Sequence, residues 1–165
     1  MKREMDQVGL LLCDVQGKIF EQSVTSEECS SSIFIRRYMN SKFVSRMDNL
    51  TFINESMTVE EIFEELDIEY GKTSYGKIKF SVNEMYWIGY IYRYLSYVYQ
   101  IDSKNAYKII KGTELRHLFF AYQSLATMNA IDRILEAKSI VLDKDNHQLT
   151  KEGVEILRRI KRAKK

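Results

Sequence analysis

Apolar residues recur at three- and four-residue spacing along most of this chain, which is the period of a helix with one buried face. The clearest stretch is TVEEIFEELDIEYG, where Val59, Ile62, Phe63, Leu66 and Tyr70 form one stripe. Thr58 and Glu61 stand at capping-box spacing before it, and Gly71 stands where a left-handed stop is wanted. Ser81 and Glu84 repeat the box and open a tyrosine-rich helix ending near Ile101. Shorter periodic runs surround these two. The serines at 30 to 32 cap a helix carrying Ile33, Phe34, Arg37 and Tyr38, and Ser41 starts another with Phe43, Val44 and Met47. Asp102 or Ser103 caps SKNAYKIIK, which Gly112 stops. Thr113 opens TELRHLFFAYQSL, with Leu115, Leu118, Phe119 and Tyr122 on one face, and Thr127 caps MNAIDRILEAK, with Ile131, Ile134 and Leu135 at core spacing. Residues 49 to 54 and 72 to 80 are expected as connections.

Two parts of the pattern are less direct. In the first twenty residues Met5, Val8, Leu12, Val15 and Ile19 fit a helix, while LLLC, DVQG and KIFEQSV fit strand, turn, strand. The helix is favoured. After SIVLDKDNHQ, a linker with a turn at DKDN, Thr150 caps a last helix with Val154, Leu157 and Ile160 apolar. The expected architecture is all-α: a compact single-domain bundle of about six to seven helices. Its parts are a core over 1–137, a linker over 138–149 and a basic amphipathic C-terminal helix over 150–165.

Composition reinforces this picture. The 165 residues contain no proline and seven glycines, and are 45% apolar and 29% charged. Such a chain holds one domain with a real core and few helix breakers. Cys13 and Cys29 have no paired spacing, and the start of the chain has no secretory cleavage pattern, so a cytoplasmic protein with two reduced, buried thiols is expected.

The net charge of +2 conceals a strong asymmetry. No basic residue lies between Arg46 and Lys72, where Asp48, Glu55, Glu60, Glu61, Glu64, Glu65, Asp67 and Glu69 are all acidic. At the other end Arg158, Arg159, Lys161, Arg162, Lys164 and Lys165 make six of the last eight residues basic. That tail suits a solvated helix end, a phosphate backbone or an acidic partner, and the acidic stretch makes self-association or an intramolecular contact a further option.

The stretch MYWIGYIYRYLSYVYQ, 85 to 100, holds six of the eleven tyrosines and the one tryptophan. On a helix Trp87, Ile88, Ile91, Tyr94, Leu95 and Val98 share a broad apolar arc, expected at the centre of the bundle. Gly89, Arg93, Ser96 and Gln100 share a small or polar arc, and Gly89 with Ser96 would admit a neighbouring backbone. Tyr86, Tyr90 and Tyr97 form a separate stripe. A membrane span is excluded, because seventeen residues rise only about 25 Å and Arg93 sits in the middle. A base-stacking platform needs more cations than this helix has. Buried phenols need hydrogen-bond partners, and tyrosine with arginine dominates many interfaces. Tyr86, Tyr90, Tyr97 and Arg93 are therefore candidates for a partner surface, together with Glu61, Glu64 and Glu65 of the acidic helix.

Recognisable chemistry is otherwise lacking. His117 and His147 are not at metal-ligand spacing, and the glycines form no phosphate loop. Glu61, Glu64 and Glu65 have no ExxH partner, and Cys13 sits among apolar residues. No catalytic, metal or cofactor-binding residue is expected. SKNAYKIIKGTELRHLF has a weak helix-turn-helix character, with Gly112 in the turn.

The runs SSSIFIRRYMNSKFVSRMD, TVEEIFEELDIEYG, YWIGYIYRYLSYVY, SKNAYKIIK, ELRHLFFAY and AIDRIL span roughly 30 to 136. Together they resemble a family of small Gram-positive bacterial proteins encoded beside toxin-like reading frames, including ADP-ribosyltransferase-like ones. KGTELR and FFAYQSL depart from its pattern in lacking a proline. The resemblance implies an antitoxin or accessory component of a toxin–antitoxin module, and no catalytic residue. The expected function is a non-enzymatic protein-interaction module whose partner is a toxin-like protein or a second copy. The alternative is a DNA-binding regulator using the basic tail from Arg158 to Lys165.

Overall fold

A computed structural model describes residues 2–142. Among them are eight α-helices and no strand: α1 (Gln7–Ser26), α2 (Ser31–Met39), α3 (Lys42–Asp48), α4 (Val59–Tyr70), α5 (Val82–Tyr99), α6 (Ser103–Ile109), α7 (Gly112–Tyr122) and α8 (Thr127–Ala137). The all-α expectation holds, but the count exceeds six to seven. Two of the eight, α3 and α6, are only seven residues each, and Ser41 and Asp102 cap them individually, as the sequence indicates. The C-terminal helix expected over 150–165 lies outside the described residues, as does most of the linker.

The start of the chain is a helix and not a hairpin. Asp6 accepts from the Gly9 amide at 2.8 Å and so caps α1, which then runs for 20 residues. Both capping boxes form as expected. Thr58 accepts from the Glu61 amide while the Glu61 carboxylate accepts from the Thr58 amide, and Ser81 and Glu84 do the same. Gly71 ends α4 at φ +78°, in the region that favours glycine. Gly112 departs from expectation. It is the first residue of α7, buried against Ile35, and the preceding helix ends at Ile109. Only Ile110 and Lys111 join α6 to α7, shorter than the three- to four-residue turn of a helix-turn-helix.

The bundle is organised on α1 and α5, which pack along much of their length. They run antiparallel, since Gly9 meets Tyr97 while Gly17 meets Tyr86. The approach is close enough to require glycine. A Cβ on Gly89 would stand 2.8 Å from the Gln16 carbonyl oxygen, and one on Gly17 would stand 2.7 Å from the Tyr86 ring. Ile88, Ile91, Leu95 and Val98 of α5 are buried as expected. Trp87 is only half-buried, because its ring lies edge-on to Phe119 of α7 near the surface. On the other side α2 contributes Phe34, Ile35, Tyr38 and Met39, and Phe20, Phe34, Tyr38, Phe43 and Phe52 form a continuous run of ring contacts. Both thiols are buried and free, and burial pushes Cys13 up to about 12, so it stays a protonated apolar filler.

Glu27, the residue that ends α1, is half-buried. Burial, then the charge of Asp67, raises its carboxyl from 4.5 to about 6. The folded state thus holds this proton more tightly than the unfolded one. Glu27 costs nothing below pH 4.5, and its penalty grows as pH rises through 6. Glu27→Gln is expected to stabilise the protein at pH 7 by about 1 kcal/mol after allowance for solvent screening. Wild-type and variant urea curves should converge towards pH 4; a gap that stays constant with pH would refute the assignment.

Candidate functional site

The tyrosine helix was expected to present Arg93 at the rim of a partner surface. The structure corrects this: Arg93 is 2% exposed and is the largest fully buried side chain. Its guanidinium bonds to three other elements. Nε and Nη2 donate to Gln16 Oε1 of α1 at 3.1 and 2.9 Å. Nη1 donates to Asp48 Oδ1 at the end of α3 at 2.8 Å, and Nη2 donates to Ser103 Oγ at the start of α6 at 3.2 Å. The partners are themselves engaged. Gln16 Nε2 donates to the Gly89 carbonyl at 2.8 Å, and Tyr38 donates to Gln16 Oε1 at 3.1 Å. Asp48 also accepts from the Ser103 hydroxyl at 2.7 Å and from the Ser103 amide at 2.9 Å. A buried charge is tolerable only when paired and hydrogen-bonded, and that condition is met here. The polar arc of α5 therefore faces the interior. The sequence gives no local sign of it, because Gln16 and Asp48 lie 77 and 45 residues away.

The tyrosine stripe has the same destination. Tyr86 donates to Asp14 Oδ1 at 2.5 Å and Tyr97 donates to Asp6 Oδ1 at 2.7 Å, both acids belonging to the start and outer face of α1. These bonds hold both carboxylates below the usual range, led at Asp14 by the Tyr86 bond and at Asp6 by the Gly9 amide. Tyr90, half-buried, lies between the rings of Tyr86 and Tyr94, with centroids 6.0 and 6.3 Å away. The phenols of Tyr86 and Tyr97 have their partners within the chain, so those two do not themselves call for a second protein.

The acidic helix divides differently. Glu65 is taken by Arg46, whose Nη2 donates to both its oxygens at 2.7 and 2.8 Å, and Glu61 is engaged in capping. Glu60 and Glu64 stay exposed. Between α1 and the start of α4 lies an apolar groove of about 410 Å³, lined by Leu11, Val15, Phe52, Ile53, Met57 and Ile62, with Lys18 also at its wall. Leu11 is 60% exposed and Ile53 is 49% exposed. Glu55 also lines the groove. Its Oε1 receives Arg46 Nε at 2.8 Å, while its Oε2 is buried with no hydrogen-bond partner. This surface couples exposed apolar side chains to one buried carboxylate oxygen that lacks a donor. It was missed in the sequence because Leu11 and Ile53 come from elements that look unremarkable alone.

His117 is exposed on α7, and no group of three or more metal-ligating side chains occurs among the described residues. Also among the described residues, no helix is long and apolar enough to cross a membrane. Arg158, Arg159, Lys161, Arg162, Lys164 and Lys165 lie outside them.

If the stripe is structural, Tyr86→Phe and Tyr97→Phe should each lower stability by about 1 kcal/mol, since each removes one charge-assisted hydrogen bond between α5 and the start of the chain. Self-association, measured by analytical ultracentrifugation, should not change. Wild-type stability in both variants would show that these bonds do not hold α1 on α5. Comparison with protein-family models, with curated proteins and with solved structures gives no match, so the residues themselves carry the functional reading.

Proposed function

We propose that this chain is a non-enzymatic protein-interaction module, the antitoxin-like or accessory partner of a toxin-like protein. The observation that carries the reading is the groove between α1 and α4. Leu11 and Ile53 stand about half exposed or more at its edge, and Lys18 and Glu55, whose Oε2 has no partner, are the charged residues that line it. Exposed apolar area beside a buried carboxylate oxygen that lacks a donor suits a partner that brings an apolar anchor and a basic donor. A toxin that handles nucleotides or nucleic acid has a basic surface of that kind, and covering it would block access to substrate. The family resemblance of residues 30 to 136 points to the same class of partner. Of the residues first proposed for this role, Glu61, Glu64 and Glu65 lie outside the lining of the groove, Glu61 and Glu65 having intramolecular duties, and Tyr86, Tyr97 and Arg93 serve the fold.

The test uses the toxin-like protein encoded beside this chain. Calorimetric titration should show a complex whose affinity falls steeply with salt. Leu11→Asp combined with Ile53→Asp should weaken it at least a hundredfold, equivalent to about 2.7 kcal/mol. The melting temperature should change by little, because both side chains are largely exposed. No neighbouring toxin-like frame, no complex, or a complex indifferent to both substitutions would defeat the proposal.

A further inference from the structure

A second concavity, of about 330 Å³, opens where the N-terminal segment, the end of α3, the end of α5 and the start of α6 meet. It shares no lining residue with the apolar groove. Three donor-bearing side chains line it with hydrogen-bonding capacity to spare. Ser96 lines it, is 4% exposed, and its hydroxyl has no hydrogen-bond partner. A buried hydroxyl left unpaired is unfavourable, and a natural fold retains one where something else supplies the partner. Arg93 lines it as well. The four bonds from its guanidinium use four of its five N–H groups, leaving one on Nη1. Arg3 is the third, with its guanidinium 4.5 Å above the Tyr97 ring and Nη2 at a long 3.4 Å from Gln100 Oε1. Among the described residues no carboxylate lies within ion-pair distance of Arg3.

The acids of the concavity are already committed. Asp48 accepts three bonds from Arg93 and Ser103, and Asp102 accepts from the Asn105 amide at the start of α6. The wall itself is strained. Leu50 at φ +63° and Gln100 at φ +54° both line it, and they are two of the three non-glycine residues with positive φ among those described. For side-chain-bearing residues that conformation is unfavourable and clusters at ligand clamps.

We propose that this cleft binds a small carboxylate-bearing molecule. The carboxylate accepts from the Ser96 hydroxyl and the free Arg93 N–H, with Arg3 as the nearby cation. Asp48 offsets Arg93 and Asp102 also lines the cleft, so recognition rests on the donors, and a doubly charged phosphate is disfavoured against a single negative charge. The size lies at the small end of ligand pockets, which excludes a nucleotide-sized occupant.

The experiment is a titration of the full chain, followed by backbone amide NMR, with propionate, pyruvate and N-acetylglycine. Propionamide serves as the neutral control and inorganic phosphate as the alternative anion. The expected result is saturable shifts at Leu50, Ser96 and Gln100 with a carboxylate, at a Kd of about 1 mM or below. Propionamide and phosphate should bind at least tenfold more weakly. Ser96→Ala should raise the melting temperature of the unliganded protein while losing at least tenfold in affinity, a pairing that a purely structural serine would not give. Arg3→Ala should abolish the salt dependence. No saturable shift with any carboxylate at about 10 mM, equal response to propionamide, or binding untouched by both substitutions would overturn the proposal. So would stronger binding of phosphate. None of these outcomes depends on the groove or its partner.

Discussion

The buried guanidinium of Arg93 is the interaction on which the arrangement of the helices depends. One side chain of α5 bonds to Gln16 in α1, Asp48 at the end of α3 and Ser103 at the start of α6. Apolar packing alone would let short helices such as α3 and α6, seven residues each, slide against the core. A desolvated cation removes that freedom, because any shift that breaks one bond exposes a charge in a low-dielectric interior. Ser103 shows how the coupling reaches the backbone: its amide and hydroxyl both bond to Asp48, fixing the first turn of α6 to the last turn of α3.

Close packing of α1 on α5 makes that network reachable. With glycine at 17 and 89 the helices approach until the Gln16 side chain spans from Gly89 to Arg93. The two acids of α1 that receive Tyr86 and Tyr97 then lie opposite the tyrosine stripe. The aromatic richness of α5 thus follows from its position between α1 on one side and α7 and α8 on another. The outer face of α1 carries the consequence: Leu11 has no covering helix, and it forms the apolar edge of the groove beside the start of α4.

Much of this was legible in the chain. Capping boxes at Thr58 and Ser81, the stop at Gly71 and the absence of proline located the elements, because caps and breakers act through bonds only three or four residues long. The close approach at Gly89 was also legible, since a glycine inside an otherwise bulky helix leaves a gap to be filled. Arg93 was not. Arginine is seldom buried, so its place on a polar arc suggested solvent, and only partners from α1, α3 and α6 reverse that inference. Ser96, expected with Gly89 to admit a neighbouring backbone, is buried, but its unpaired hydroxyl was not legible. The candidate docking groove needed tertiary structure too, since it joins residues on either side of α2 and α3 in sequence.

The central claim is that Arg93 and Asp48 act as one desolvated unit and not as a surface pair. A double-mutant cycle with Arg93→Met and Asp48→Asn, read by urea denaturation at pH 7, tests it most directly. Each single change should cost about 3–5 kcal/mol, because it strands the other group, and the double variant should lose much less than their sum. Single losses below about 1 kcal/mol that simply add would contradict the account, since exposed ion pairs behave that way.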